Sequence, residues 1–284
     1  MMRKLFLILI IQLFVFCTSK NEHEYPRLIA PKTNKIIEVN SQHMLKSRPR
    51  LLGLNFIKDT TVVPYYNLYK NSIVNLGKDT LLPKYDLKII IDTSYNFHYN
   101  DFEYVWLDLP KTMDSLLNLN LENTKFNELV DKVHYDKVDV FNKDHVKSYP
   151  ILIYNNGNEN SYIYDSPNGI QMIQEAKDID GVWKPIEFMF NFPYSIIYYN
   201  FYELKPKNYL GTSIIKYHGD FKTKLRVKIK FGKYYYYSNE IVGYINRSQF
   251  ETDFLNDYLK LSDYYIDEAQ LKEKIDFSLL KTNF

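Results

Sequence analysis

A strict alternation between positions 221 and 231 constrains the fold more than any other stretch of this sequence. Apolar residues and one threonine occupy the odd positions from Phe221 to Phe231, and lysine or arginine occupies every even position. A period of two places successive side chains on opposite faces of a β-strand, whereas a helix would mix the two sets. The pattern predicts one long strand with a buried apolar face and an exposed basic face.

The residues that follow predict a β-hairpin. Positions 232–233 form a Gly-Lys loop of the kind found in type II′ turns. With that loop alone, Glu240 would lie on the apolar face as an unpaired carboxylate, which is costly. One extra residue, in the loop or as a bulge, pairs Leu225 with Ile241 and places Glu240 opposite Arg226. We expect this second register.

The basic face of the strand is a candidate binding surface. Its members are Lys222, Lys224, Arg226, Lys228 and Lys230. A row of cations near tyrosines suits an anionic partner. A solvated sheet face that resists edge-to-edge aggregation explains the same residues without any ligand. The sequence leaves both interpretations open.

Composition narrows the class of protein. The chain has 284 residues, enough for one large or two ordinary domains, and a formal charge of +2. A charge this small gives no general attraction to nucleic acid, and no nucleic-acid partner is expected. The 27 tyrosines and 18 phenylalanines are typical of half-buried strands. They would also supply stacking surface for a carbohydrate or peptide.

The N-terminus predicts export. Two basic residues precede an almost wholly apolar segment at 5–16, which ends at Cys17, the only cysteine. The segment is too short for a membrane-spanning helix and suits the core of a signal peptide. It resembles a bacterial lipoprotein signal, which implies acylation of Cys17 and attachment to membrane lipid. Phe16 departs from the small residue that this pattern has before the cysteine.

The domain organisation follows from shifts in pattern along the chain. We predict a signal peptide with a lipobox-like cysteine (1–17), a polar tether (18–48), a β-rich portion with a short helical connector (49–147), an antiparallel β-sandwich (148–247) and C-terminal helices (248–284).

The expected fold class is mainly β. Short runs of strand-forming residues bounded by turn residues recur through 148–247, which is typical of an antiparallel, Ig-like sandwich. One of these is a predicted hairpin around the turn at 155–158. Positions 124–134 have the spacing of a short amphipathic helix. Ser248 and Glu251 have the spacing of a capping box before the C-terminal helices.

Two segments, 173–187 and 216–246, resemble a group of uncharacterised β-rich secreted proteins of Gram-negative bacteria. The resemblance covers roughly the last 40% of the chain. It implies an exported protein rich in strands, and no activity is attached to that group.

No motif predicts catalysis. Histidine and aspartate are sequence neighbours at His98/Asp101, His134/Asp136, Asp144/His145 and His218/Asp220. None lies in a nucleophile motif, and the sequence contains no G-x-S-x-G, H-E-x-x-H or phosphate-binding loop. The start of a calcium loop at 178–181 is better explained as a turn. We therefore assign no catalytic residue, cofactor or metal.

Aromatic residues offer a second candidate surface. Trp183 and Tyr198, with other tyrosines nearby, could form a sugar-stacking platform. Burial in the core explains the same residues without a ligand.

The expected function is binding or scaffolding at the cell envelope by a membrane-tethered lipoprotein, with an envelope protein or glycan as the partner. Two alternatives remain open. One is an exported hydrolase of glycan or peptide that uses a carboxylate pair. The other is a structural subunit of an envelope complex.

Overall fold

The computed structural model describes residues 24–62, 73–76, 81–99, 144–189, 200–255 and 268–281, except positions 31, 34, 48, 50, 59, 166–168 and 254. Cys17, Tyr198 and the predicted helical connector lie outside the described residues. Within them, no helix has the length and apolar character needed to cross a bilayer.

Strands dominate the described residues. In chain order they are β1 (Arg27–Leu28), β2 (Lys35–Ile37), β3 (Leu45–Lys46), β4 (Gly53–Phe56), β5 (Thr61–Val62), β6 (Ile73–Asn75), β7 (Leu87–Ile91), β8 (Phe97–Tyr99), β9 (Asp144–Asn155), β10 (Ser161–Asp165), β11 (Met172–Lys177), β12 (Trp183–Pro185), β13 (Glu187–Phe188), β14 (Asn200–Leu204), β15 (Tyr209–Ile215), β16 (Phe221–Phe231), β17 (Tyr234–Tyr237) and β18 (Ile241–Ile245). The helix α1 covers Glu268–Ser278. The predicted mainly β class is confirmed.

Two larger sheets form the body of the described structure. In the first, β9 is central: β15 and β2 pair with one edge, β7 and β8 with the other, and β4 extends the sheet beyond β15. In the second, β16 is central, with β11 and then β12 on one side and β17 and β18 on the other. Most pairs are antiparallel. Strand β9 crosses the predicted boundary at 147/148, so the two β-rich portions share one sheet.

The main hydrophobic core contains the apolar faces of both sheets. Ile151 and Ile153 of β9 belong to the same buried cluster as Val227 and Ile229 of β16, and all four are completely shielded from solvent. Such burial contributes roughly 1.5–3 kcal/mol for each large aliphatic side chain. The odd positions of β16 therefore anchor one sheet to the other.

The predicted hairpin register is confirmed, and its extra residue is a bulge. Phe231 pairs with Tyr234 across the two-residue loop, and Leu225 pairs with Ile241, so the register shifts by one between them. Ser238 lies at the shift, where its N–H donates to the Val227 carbonyl and its Oγ accepts from the Val227 N–H. The loop glycine has a φ of 57°, which a residue without a Cβ adopts freely.

The same bulge joins the two sheets. Asn239, next to Ser238, donates from its side-chain amide to the Ile91 carbonyl and accepts from the Ile91 N–H. The Asn239 side chain thus pairs with both the N–H and the C=O of Ile91. These two groups would otherwise be unpaired at the edge of β7.

The predicted polar tether is wrong from position 24 onward. This segment contributes β1, β2 and β3, which pair with β5, β9 and β13. Leu28, Val39 and Met44 are at most 1% exposed. Scattered prolines and charges concealed these short strands, since a two- or three-residue strand has too few side chains to show a period.

The predicted hairpin around 155–158 is also wrong. Strand β10 pairs with β14 rather than with β9. Asn155 is fully buried, donates to the carbonyls of Glu159 and Leu204, and accepts from the Gly157 N–H. The side chain thus redirects the chain into another sheet instead of closing a tight turn.

The C-terminal part differs from its predicted capping. A 3₁₀ helix spans Arg247–Phe250, and the Gln249 side chain accepts from the Asn246 N–H. Ser248 lies inside this helix and Glu251 beyond it, so the predicted capping box is wrong.

Farther on, Leu271 and Leu279 pack with Met44 and Phe188 in a separate apolar cluster. Most of the first predicted helix lies outside the described residues.

A buried carboxylate links several strands. Glu187 of β13 is 2% exposed and accepts from the Tyr217 hydroxyl, from the side-chain amide of Gln174, from the Gln174 N–H and from Ser47. Burial raises the pKa of Glu187, and the donors around it oppose that rise. The group ties together segments from four parts of the chain.

Replacing Glu187 tests this network. We expect Glu187→Leu to lower the free energy of unfolding by about 3 kcal/mol or more, because several buried donors lose their acceptor. Glu187→Gln keeps one carbonyl oxygen and should cost less. Urea denaturation of both variants measures the difference. Equal losses would show that the donors do not depend on the carboxyl oxygens.

Candidate binding face and groove

The outer face is the surface of the second sheet that carries the even positions of β16. The exposure of these even positions falls from the first to the last, because the two ends of β16 have different neighbours. Lys222 and Lys224 are exposed, Arg226 and Lys228 are partly covered, and Lys230 is 5% exposed. The prediction of five exposed cations is therefore wrong at the Lys230 end.

Apolar residues cover the Lys230 end of the outer face. Ile173, on β11 opposite Lys228, packs with Met189 and Leu280 in a small buried cluster. Burial lowers the pKa of Lys228 and of Lys230, and each cation lies over the ring of Tyr235, at 4.6 and 5.8 Å from its centroid. These two lysines serve the packing of the face.

Arg226 organises the middle of the outer face. Its Nη2 lies 2.6 Å from Oε2 of Glu175, the residue directly opposite on β11. Its guanidinium lies 4.2 Å from the ring centroid of Trp183 and 4.1 Å from that of Tyr237. A planar cation held by a carboxylate and two rings has little rotational freedom. Trp183, Arg226 and Tyr237 thus form a rigid row across three strands.

The open end of the outer face presents rings and lysines together. Tyr237 is 45% exposed, Tyr244 is 47% exposed and Val242 is 58% exposed. Lys222 lies opposite Tyr244 in the register, and Lys224 forms a 2.7 Å ion pair with Glu240. This is the reachable part of the predicted basic face.

A groove borders the outer face at the junction of the sheets. Two clefts of about 770 and 460 Å³ share Thr93 and Asn239 in their walls. Tyr237 lines the larger cleft, and Glu240 and Val242 line the smaller one. The bulged segment of the hairpin therefore forms a wall between groove and outer face.

The walls of the groove are held by hydrogen bonds. The Asp92 carboxylate accepts from the Ser94 N–H, and the Tyr95 hydroxyl accepts from the Leu28 N–H. The Tyr25 hydroxyl donates to Glu24, and this bond raises the pKa of Tyr25 to about 12. Glu24 and Asp92 both line the larger cleft.

The structure pairs histidines that the sequence places with aspartates. His98 of β8 and His145 of β9 approach to 2.9 Å between their Nδ1 atoms, and His145 is 4% exposed. One ring must donate and the other accept, so the contact needs at least one neutral imidazole. Burial lowers the pKa of His98, which favours its neutral form. Lys147 and Glu38 lie nearby as an ion pair.

The remaining predicted sites are the aromatic platform and the calcium-loop-like segment 178–181. Trp183 lies on the outer face beside Arg226, and its predicted partner Tyr198 is outside the described residues. Asp178 accepts from the N–H groups of Asp180 and Val182 and pairs with Lys184 at 2.7 Å, so 178–181 is a turn, as the simpler interpretation predicts. Sequence reasoning missed Glu175, which lies 51 residues from Arg226 in the chain. It also missed Tyr237 and Tyr244, although the predicted hairpin places both beside the basic strand.

Comparisons with protein-family models, curated proteins and solved structures find no match to this chain. Fold and site together define a mainly β protein with a rigid aromatic and basic outer face.

Two ion pairs on the outer face give a matched stability test. Arg226→Ala should lower the free energy of unfolding by about 1.5–3 kcal/mol, since the 7%-exposed Glu175 side chain loses its close hydrogen bonds to the guanidinium and keeps only Lys228, at 3.7 Å. Lys224→Ala breaks a pair whose side chains are 56% and 42% exposed, and because water screens such a pair the variant should be much less destabilised. Chemical denaturation measures both. Similar costs would contradict the special role of Arg226.

The histidine pair predicts acid sensitivity. An unfolded histidine titrates near 6.5, and the pKa of folded His98 is lower, so the unfolded chain binds the proton first as the pH falls. The free energy of unfolding should therefore be fully retained above about pH 6.5 and decline below it, by up to about 1.4 kcal/mol per pH unit.

Denaturation at pH 5 to 8 measures this effect. His98→Gln should flatten the decline, whereas the control His43→Gln changes an exposed histidine and should not. If both variants keep the wild-type profile, His98 does not cause it.

Proposed function

We propose that the chain is an exported lipoprotein that binds or scaffolds a component of the cell envelope. Acyl chains on Cys17 would hold it at a membrane surface. The outer face is the proposed binding surface, with an envelope protein or glycan as partner. The arrangement of Trp183, Arg226 and Tyr237 is the observation that carries the proposal.

Rigidity is the reason this arrangement favours binding. Side chains that are already ordered lose little conformational entropy when a partner arrives. Arg226 lies against the rings of Trp183 and Tyr237. Tyr237 and Tyr244 remain nearly half exposed, and Tyr244 lies opposite Lys222. A face that served only solvation would not need its rings held in place.

The proposal includes two features of architecture. The first is a sandwich of the Ig-like type, formed by the strands of 148–247 together with β2, β4, β7 and β8 from earlier in the chain. The second is a set of C-terminal helices within 248–284. The shared buried cluster between β9 and β16 supports the first, and the helix α1 supports the second.

The groove supports binding better than hydrolysis. A glycosidase needs two carboxyl groups free to act on the substrate. Three acids line the two clefts of the described structure. Asp92 accepts the Ser94 N–H, Glu24 accepts the Tyr25 hydroxyl and Glu240 pairs with Lys224, so each of them already holds local structure. The exported hydrolase is therefore the weaker alternative.

Anchoring and binding can be tested on the full chain expressed in a Gram-negative host. Mass spectrometry should find an acylated Cys17 at the mature N-terminus, and Cys17→Ser should abolish the acylation because it removes the thiol. An unprocessed N-terminus would contradict the lipoprotein proposal.

Cross-linked envelope fractions should then yield a partner captured by the wild type and lost with Tyr244→Ala. Lys58→Gln, an exposed lysine beyond β4, serves as the control and should retain capture. Equal capture by both variants would exclude the Tyr244 end of the outer face from the binding surface.

A further inference from the structure

We infer that the outer face binds an acidic polysaccharide, with the ring of Tyr244 stacked on a sugar and the ammonium of Lys222 on its carboxylate. This rests on the proposed binding function and names the chemistry of its ligand.

The available charge on the face is positive. Among the described residues of the face, the carboxylate of Glu175 is already paired with Arg226 and Lys228, and that of Glu240 with Lys224. Lys222 is exposed and forms no ion pair among the described residues. An anionic group on a ligand would therefore find an unpaired ammonium without displacing an existing partner.

An open ring lies beside that ammonium. Tyr244 is 47% exposed and directly opposite Lys222 in the register of β16 and β18. Cations of this chain lie over Trp183, Tyr237 and Tyr235, but within the described residues none lies over Tyr244. A ring face of this kind takes the apolar face of a sugar, while its hydroxyl remains in water.

Composition disfavours the other classes of polymer. Protein interfaces are depleted of lysine, and the two exposed even positions of β16, 222 and 224, are both lysine. Nucleic-acid-binding domains usually have an isoelectric point above about 9, whereas the value here is about 8.2. A polymer of sugar acids requires only the local pairing of ring and cation that the face provides.

The groove gives such a chain a place to continue. Val242, between Tyr244 and the bulge, lines the smaller cleft together with Lys147, Lys216 and Asn96. The cleft has ammonium and amide donors near the edge of the outer face. A polymer held at Tyr244 and Lys222 could therefore extend past Val242 into this cleft.

Calorimetry with soluble full-length Cys17→Ser protein tests the inference, using oligogalacturonate and a neutral glucan oligomer of equal length. The acidic oligomer should bind and weaken with salt, and the neutral one should bind at least about tenfold more weakly. Lys222→Gln and Tyr244→Ala should each weaken binding about tenfold. Tyr244→Phe and Lys58→Gln should retain it, which separates loss of the ring from loss of the fold.

Several outcomes would overturn the inference. Equal binding of the neutral glucan would remove the role of charge. Binding of anionic phospholipid vesicles or single-stranded DNA with the same affinity and the same sensitivity to Lys222→Gln would make the site a general anion surface. Absence of oligogalacturonate binding, while envelope capture remains sensitive to Tyr244→Ala, would reject the polysaccharide and leave the binding function intact.

Discussion

The one-residue bulge at Ser238 determines which way the second half of the hairpin faces. Without it, Ile241 and Ile245 would leave the core and Glu240 would enter it, because a slip of one residue exchanges the two faces of a strand. With it, these isoleucines are buried and Glu240 reaches Lys224. The same bulge presents Asn239 to the edge of β7, so one local irregularity aligns the core, the outer face and the junction of the sheets.

The outer face shows how one row of cations can have two roles. Along β16 the even positions pass from exposed at Lys222 to buried at Lys230, and their environment changes with them. Toward the C-terminal end of the strand, rings and apolar residues cover the lysine stems. At Lys222 the ammonium remains in water beside an open ring. Packing of the lysine side chains therefore explains the Lys230 end of the row. It does not explain the Lys222 end.

The predictions were correct where a strand is long enough for the two-residue period of its side chains to be recognised. The bounds of β16 and the pairing of Leu225 with Ile241 follow from alternation and the cost of a buried carboxylate. The predictions failed for β1 to β3, which are too short to show a period, and at Asn155, where a buried amide redirects the chain. Of the candidate site, the cations and Trp183 were predicted, and the ring and carboxylate partners were not.

The strand-rich class, the long hairpin and its basic positions can be inferred from the amino-acid sequence alone, because they depend on local period and turn chemistry. The buried state of Lys230, the contacts of Glu175 and Tyr237 with Arg226, and the approach of His98 to His145 emerge from the packed fold. Exposure and pairing depend on neighbouring strands, and β11 and β16 are joined by a register that no local pattern encodes.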